Sequence, residues 1–207
     1  MSSERVIVTG SNGMIGTEFL RHNKLDAQII APRSNELDLK RVREMEEFIR
    51  THRPSVVINL AAQTNVNAGE LERGNERGDF YTINARAAWE LERLSEQYGF
   101  FLIQVSTDMG LFETADNKAP FDEGTKPHFG QKDLTWYGYT KARGEDLINT
   151  GRNAIVRIIY PIPIDPEYPL RKLDYARIPI EAHRAGKPLT YWPDQDTNHT
   201  SVSDLIK

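Results

Sequence analysis

The chain has 207 residues, enough for one large domain or one domain with a small appendage, and enough to bury a core without disulfides. Its 27% charged and 39% apolar residues exclude wholesale disorder, and a formal net charge of −4 argues against a general nucleic-acid binder or a polybasic membrane-surface protein. Zero cysteines exclude a disulfide scaffold, a thiolate zinc site and a cysteine nucleophile, while the lack of any apolar run near the roughly 18 residues of a membrane span, or of a signal segment in MSSERVIVTG, makes the cytoplasm the expected location.

Short β-branched runs alternate with longer stretches of helical spacing. RVIVTG (5–10), AQIIAP (27–32), SVVINLAA (55–62), FFLIQVST (100–107) and NAIVRIIY (153–160) are continuous apolar runs and predict strands buried on both faces. MIGTEFLRHN, LKRVREMEEFIRTH, DFYTINARAAWELERLSEQY and YGYTKARGEDLINT predict the intervening helices. In the third, Ile83, Ala87, Leu91 and Leu94 mark one face, and Gly99 stands where a C-cap would. Strand–helix repetition predicts an α/β fold, a Rossmann-type doubly wound parallel sheet over residues 1–160, with ligands beyond the carboxyl ends of the strands.

Two stretches interrupt the alternation. NAGELERGNERGD (67–79) reads as a polar, glycine-broken loop, and residues 113–135 as a longer surface loop over the strand ends. MEEFIR and ELER read as solvated helix faces. After residue 160, PIPIDPEYPL carries four prolines in ten residues and cannot continue a sheet interior, so residues 161–207 are expected to form a small, partial C-terminal substrate lobe.

VTGSNGMIG sets Gly10, Gly13 and Gly16 between the first strand and the first helix. Such glycines serve a tight turn, close backbone approach to a pyrophosphate, and helix–strand packing, and the helix N-terminus offers free N–H groups to the anion. This predicts a dinucleotide cradle of Gly10, Asn12, Gly13, Met14, Ile15 and Gly16. At the end of the second strand, where an NAD site would hold an acid, stand Ala31 and Pro32, followed by Arg33 and Ser34. A guanidinium and a hydroxyl suit a 2′-phosphate, so NADP(H) is favoured, with NAD(H) the alternative.

WYGYTK presents two tyrosines before one lysine. Lys141 lies four residues after Tyr137 and two after Tyr139, and only the first spacing shares a helix face. Tyr137 is therefore the candidate general acid for a carbonyl receiving hydride, its pKa expected to be lowered by the Lys141 ammonium. Tyr139 is expected to be structural. Ser106 and Thr107 end the fourth strand at the same carboxyl edge, where a hydroxyl can donate to an oxygen gaining charge. The five histidines show no metal-ligand spacing, so no metal site is expected. Trp136, Tyr191 and Trp192 could stack on a nucleotide base, although lobe packing is the commoner reason for such aromatics.

TGxxGxxG followed by YxxxK resembles the short-chain dehydrogenase/reductase superfamily, in its extended branch of nucleotide-sugar enzymes. RPSVVINLAAQTNVN, YTINARAAWEL, QVSTDMGLF and PFDEGTKPHFGQKDLTWYGYTKARGE extend the likeness over about residues 5–160, and it is closest to the dTDP-4-dehydrorhamnose reductase family. The resemblance implies that Leu60, Ala61 and Ala62 form a cofactor loop, and that Asp38, with Leu39 beside it, contacts the adenine; an N-cap for the helix starting near Lys40 stays open for Asp38. It further implies that Thr107 polarises the substrate carbonyl, with Ser106 supporting the backbone and Asp108 at the substrate. Asn84 would order a water behind Lys141, a local hydrogen bond being the other reading. Met109 stands where sugar dehydratases carry a Glu, which disfavours dehydration. The function implied is NADP(H)-dependent reduction of a nucleotide-linked 4-keto-6-deoxy sugar. A nucleotide-sugar epimerase stays open as an alternative. So does a non-catalytic NAD(P)-binding regulatory subunit, as that of methionine adenosyltransferase resembles the same reductases. Relatives in this branch are longer, so a truncated piece, or a short form completed by a partner or a homo-oligomer, fits the length.

Overall fold

A computed structural model of the chain describes residues 4–164, 177–189 and 198–207. The sheet holds β1 (Arg5–Thr9), β2 (Gln28–Ile30), β3 (Val56–Asn59), β4 (Phe101–Thr107) and β5 (Ala154–Ile158). They lie in the order β2-β1-β3-β4-β5, all parallel. Connections running first to one side of β1 and then to the other make the sheet doubly wound, with the reversal beside β1. The strand expectation needs one correction. β1 and most of β4 are buried, whereas β2 and β5 are at best half-buried, because among the described strands they form the two edges.

Helix α1 (Met14–His22) follows β1, and α2 (Val42–His52) follows β2. The latter begins three residues later than the spacing predicts, because Leu37 and Leu39 tuck into the core and the chain turns at Asp38–Arg41 first. It ends at Arg53 in the left-handed region (φ 49°), ahead of Pro54. Met45 and Ile49 of α2 meet Leu91 and Leu94 over the sheet row Ile7–Val57–Leu102. Each fully buried side chain of this kind contributes about 1.5–3 kcal/mol from area alone.

The 67–79 stretch is not simply a loop. Residues Val66–Leu71 form α3, capped by Asn65, whose Oδ1 accepts from the Ala68 N–H at 3.1 Å. Gly69 suggested a break, but it lies against the Phe80 ring, where a Cβ would come within 3.0 Å. Next, α4 (Asp79–Tyr81), a π-helical turn (Thr82–Arg86) and α5 (Ala87–Tyr98) run on as one rod, closed by Gly99 at φ 75°. After β4 come a 3-10 turn (Asp108–Gly110), a long loop, and α6 (Trp136–Glu145), which stops short of the predicted residue 150.

Beyond β5, α7 spans Arg177–Arg184 and α8 spans Val202–Leu205. The Ile159 and Ile162 N–H groups donate to Thr200 Oγ1 and O at 2.8 and 3.0 Å, and Ile162 bridges to Ser201. These bonds lay the proline-rich segment's start beside the chain's last turn. Tyr191 and Trp192 fall outside the described residues, as does the DPEYPL part of the proline run.

Candidate active site

The cradle is built by backbone proximity. Gly10 has φ +66°, and a Cβ there would stand 2.6 Å from the Ala61 nitrogen, so the β1 turn passes directly over the β3 turn. A Cβ on Gly16 would stand 2.6 Å from Gly10 O. Gly13 precedes α1 with no side-chain cap, which leaves the first N–H groups, near Met14 and Ile15, for an incoming anion.

Thr9, Gly10, Ser11, Asn12 and Gly13 form one wall of a cleft completed by Pro32, Arg33, Ser34, Leu37, Asp38, Leu39, Ala61 and Ile83. Its volume is about 180 Å³, room for one end of a dinucleotide and not for the whole. Leu60 and Ala62 flank Ala61 without lining the cleft. Arg33 is exposed; its N–H donates to Glu36 Oε2 at 2.7 Å, and its guanidinium forms no ion pair among the described residues. Asp38 does not cap α2, whose N-cap is Arg41; its Oδ1 accepts from the Lys40 N–H at 3.0 Å while the residue lines the cleft. Sequence reasoning missed Ser11, which is buried with its hydroxyl donating to Pro32 O at 3.2 Å. It also missed Ile83, which it assigned to a packing face. A hydroxyl inside the glycine turn was a readable signal; the reach of Ile83 was not.

At the carboxyl end of β4, on the same edge of the sheet, α6 carries Tyr137 and Lys141. Thr135 caps this helix, its Oγ1 accepting from the Gly138 N–H at 3.0 Å. A Cβ on Gly138 would overlap Met109 O, and one on Gly144 would overlap Asn84 O, so the helix rests on backbone at both ends. Tyr139 is buried and stacks on Trp136 at 5.2 Å, separating the two tyrosines as the helical spacing predicts.

Tyr137 meets the Thr107 hydroxyl. Burial pushes its phenol up to about 12, a rise that the Thr107 hydrogen bond opposes and the nearby Asp108 charge reinforces. This corrects the expectation of a phenol lowered by Lys141. The lysine does not act on the phenol here: its buried Nζ donates to Val105 O at 2.6 Å. Burial holds Lys141 down at about 8, against the opposing charge of Glu145, which Arg157 of β5 grips at 2.7 Å.

Thr107 Oγ1 donates to Asp108 Oδ1 at 3.1 Å and accepts from the Met109 N–H at 3.3 Å. Asp108 is itself raised above the usual carboxylate range, chiefly by burial. Ser106 points to the other face of β4, where its hydroxyl is buried without a partner among the described residues. Asn84, in the π turn, is a latch: its Oδ1 accepts from the Gln63 N–H at 2.9 Å, and its Nδ2 donates to Gln63 O and to Thr140 Oγ1, both at 3.0 Å.

Residues 70–73 of the polar stretch are tied into the fold. Glu70 Oε1 accepts from the Trp136 N–H at 2.7 Å, Glu72 Oε2 accepts from the Phe80 N–H at 3.1 Å, and Arg73 donates to Leu134 O at 2.9 Å. Helix α3 thus clamps the approach to α6. Among the described residues no group of three His, Asp or Glu side chains could hold a metal, and no helix is long and apolar enough to cross a membrane.

A family model described as RmlD substrate binding domain matches residues 4–205. The chain is 27% identical over 141 residues to a dTDP-4-dehydrorhamnose reductase of Burkholderia thailandensis, covering 68% of this chain and 44% of that protein. Among solved structures, a dTDP-4-dehydrorhamnose reductase from Clostridium acetobutylicum superposes with a TM-score of 0.80 at 25% identity, covering 98% of this chain and 67% of that one. A dTDP-4-dehydrorhamnose reductase from Bacillus anthracis, in complex with NADP, gives 0.78 at 26% identity, with 100% and 69% covered. The chain therefore spans under half the length of the first relative.

Proposed function

We propose, from the premise that the chain belongs to the RmlD substrate binding domain family, that it takes part in NADP(H)-dependent reduction of a nucleotide-linked 4-keto-6-deoxy sugar. The observation that carries this is the meeting of Thr107 with Tyr137, one turn from Lys141, at the same strand edge as the glycine cleft. The cradle suits a dinucleotide, since the glycine turn that walls the cleft leads straight into the uncapped start of α1, whose N–H groups can receive a pyrophosphate. Arg33 and Ser34 at the cleft wall favour a 2′-phosphate, in keeping with the NADP named for the Bacillus anthracis neighbour.

The bound cofactor would supply hydride to the C4 carbonyl carbon. Tyr137, protonated at working pH, gives its phenolic proton to the carbonyl oxygen, so that C=O becomes CH–OH. Thr107 donates a hydrogen bond to that oxygen as negative charge develops. Lys141, released from Val105, holds the nicotinamide ribose and stabilises the tyrosinate left behind. We assign residues 1–160 to cofactor binding and 161–207 to part of a sugar-binding lobe, with the cytoplasm as the place of action.

The test is loss of NADPH absorbance with a dTDP-4-keto-6-deoxyhexose, with a Tyr137→Phe control. Turnover is expected to fall by about 10²–10⁴ in the variant while NADPH binding stays near wild type. Equal turnover in both proteins would remove Tyr137 from the chemistry, and lost binding would make it structural.

A further inference from the structure

One row of the core is polar. Thr9, Asn59 and Gln104 are register partners on β1, β3 and β4, all within 3% exposure, directly after the apolar row Ile7–Val57–Leu102 on the same face. Their side chains form one directed chain. Thr9 Oγ1 donates to Asn59 Oδ1 at 2.5 Å, Asn59 Nδ2 to Gln104 Oε1 at 2.8 Å, and Gln104 Nε2 to Val105 O at 3.0 Å. Val105 O is the same oxygen that receives Lys141 Nζ at 2.6 Å.

A buried amide row gains little over a well-packed apolar one and is costly when any member is left unpaired. What distinguishes this row is where it starts and ends. Thr9 precedes Gly10 of the phosphate turn, and the last donor lands on the oxygen that holds the reactive lysine. We propose that Gln104, oriented through Asn59 and Thr9, is a positioning residue that sets how tightly Val105 O holds Lys141 and so couples the phosphate turn to the lysine.

The physical basis is competition at one acceptor. The Gln104 N–H carries partial positive charge beside the ammonium and takes part of the oxygen's capacity, so it weakens the lysine's hold and disfavours its charged form. The titratable groups on surrounding elements are Tyr137 and Glu145 on α6, Arg157 on β5 and Asp108 after β4. Of these, Glu145 acts on Lys141 and favours its charge.

The experiment follows the Lys141 ammonium signal by nitrogen-detected NMR in the cofactor-free protein, assigned by its loss in Lys141→Met. Gln104→Met keeps the volume and removes the donor. The titration midpoint is expected to rise by about half a pH unit or more. An unchanged or lower midpoint overturns the proposal. If Gln104→Met fails to fold by thermal melting, Thr9→Val decides: a smaller upward shift supports the coupling, and no shift refutes it.

The second arm rests on the function proposed above and uses NADPH affinity. Gln104→Met is expected to weaken binding about threefold or more in the wild-type background and not at all in Lys141→Met. Equal weakening in both backgrounds would make Gln104 merely structural. Wild-type protein that binds no NADPH would sink the proposed function, and the cofactor-free titration would still decide on Gln104.

Discussion

Replacing Lys141 with Met should change how stability depends on pH. The lysine is held at about 8 in the folded chain against 10.5 when exposed. Below pH 8 both states carry the proton, and the folded state bears the full cost of a buried charge. Between pH 8 and 10.5 the folded lysine is neutral while the unfolded one still binds its proton, so stability rises with pH. Integrating the two titrations from pH 8 to 10 gives a gain of about 2 kcal/mol. Tyr137 works in the opposite sense but later: its folded value of about 12 lies above the exposed 10.0, so its contribution is lost as pH climbs past 10. The window from 8 to 10 therefore belongs mainly to Lys141. Urea unfolding at pH 7, 8, 9 and 10, with equal m-values in both proteins, would measure it. Wild type should gain about 2 kcal/mol on Lys141→Met across that window. A flat difference, or a wild type that loses ground, would refute the account of a lysine desolvated under Val105.

Gly138→Ala should gain up to about 1 kcal/mol of helix propensity, yet its Cβ meets a backbone oxygen that cannot rotate away, at a cost of about 1–3 kcal/mol. A lowered urea midpoint checks the net loss. Arg33→Ala should weaken NADPH binding by about 10- to 150-fold and leave NADH unchanged, since a charge-assisted bond to phosphate is worth about 1.5–3 kcal/mol; fluorescence titration with both nucleotides measures the ratio. Glu70→Ala orphans the Trp136 N–H and releases Arg73, so it should lower stability by about 1–2 kcal/mol by urea titration, although Glu70 lies in a stretch that reads as surface.

What the sequence made legible was local. Five apolar runs sufficed for the sheet, because strands and crossovers each announce themselves within a few residues. The glycine turn announced the cradle, and helical spacing separated Tyr137 from Tyr139. The features that stayed hidden depend on distant partners. Glu70 caps a residue 66 positions away, and nothing in ELER signals it. The direction of the Tyr137 shift was misread because spacing supplies a neighbouring cation but says nothing of burial, and burial dominates. Lys141 was assigned a side-chain partner, whereas its acceptor is a backbone oxygen, which any residue at 105 would supply. The π turn that carries Asn84 has no local signature at all.

Helix α6 shows why the site can be both buried and exact in its geometry. Most of its residues are buried around the whole circumference, so no single apolar stripe orients it. Its orientation comes instead from two glycines, each set against a carbonyl of a different element: Gly138 on the turn after β4, Gly144 on the π turn. Backbone contacts of this kind leave no rotamer by which the helix could shift. Tyr137 and Lys141 lie between or beside these two supports, one directly before Gly138 and one three residues before Gly144. Thr107, the partner of Tyr137, ends the strand from which the first support turns. The groups proposed to handle the proton are thus mounted on backbone fixed by contacts within the chain, so that only side chains, Lys141 leaving Val105 O and Thr107 leaving Asp108, have to move for them to act.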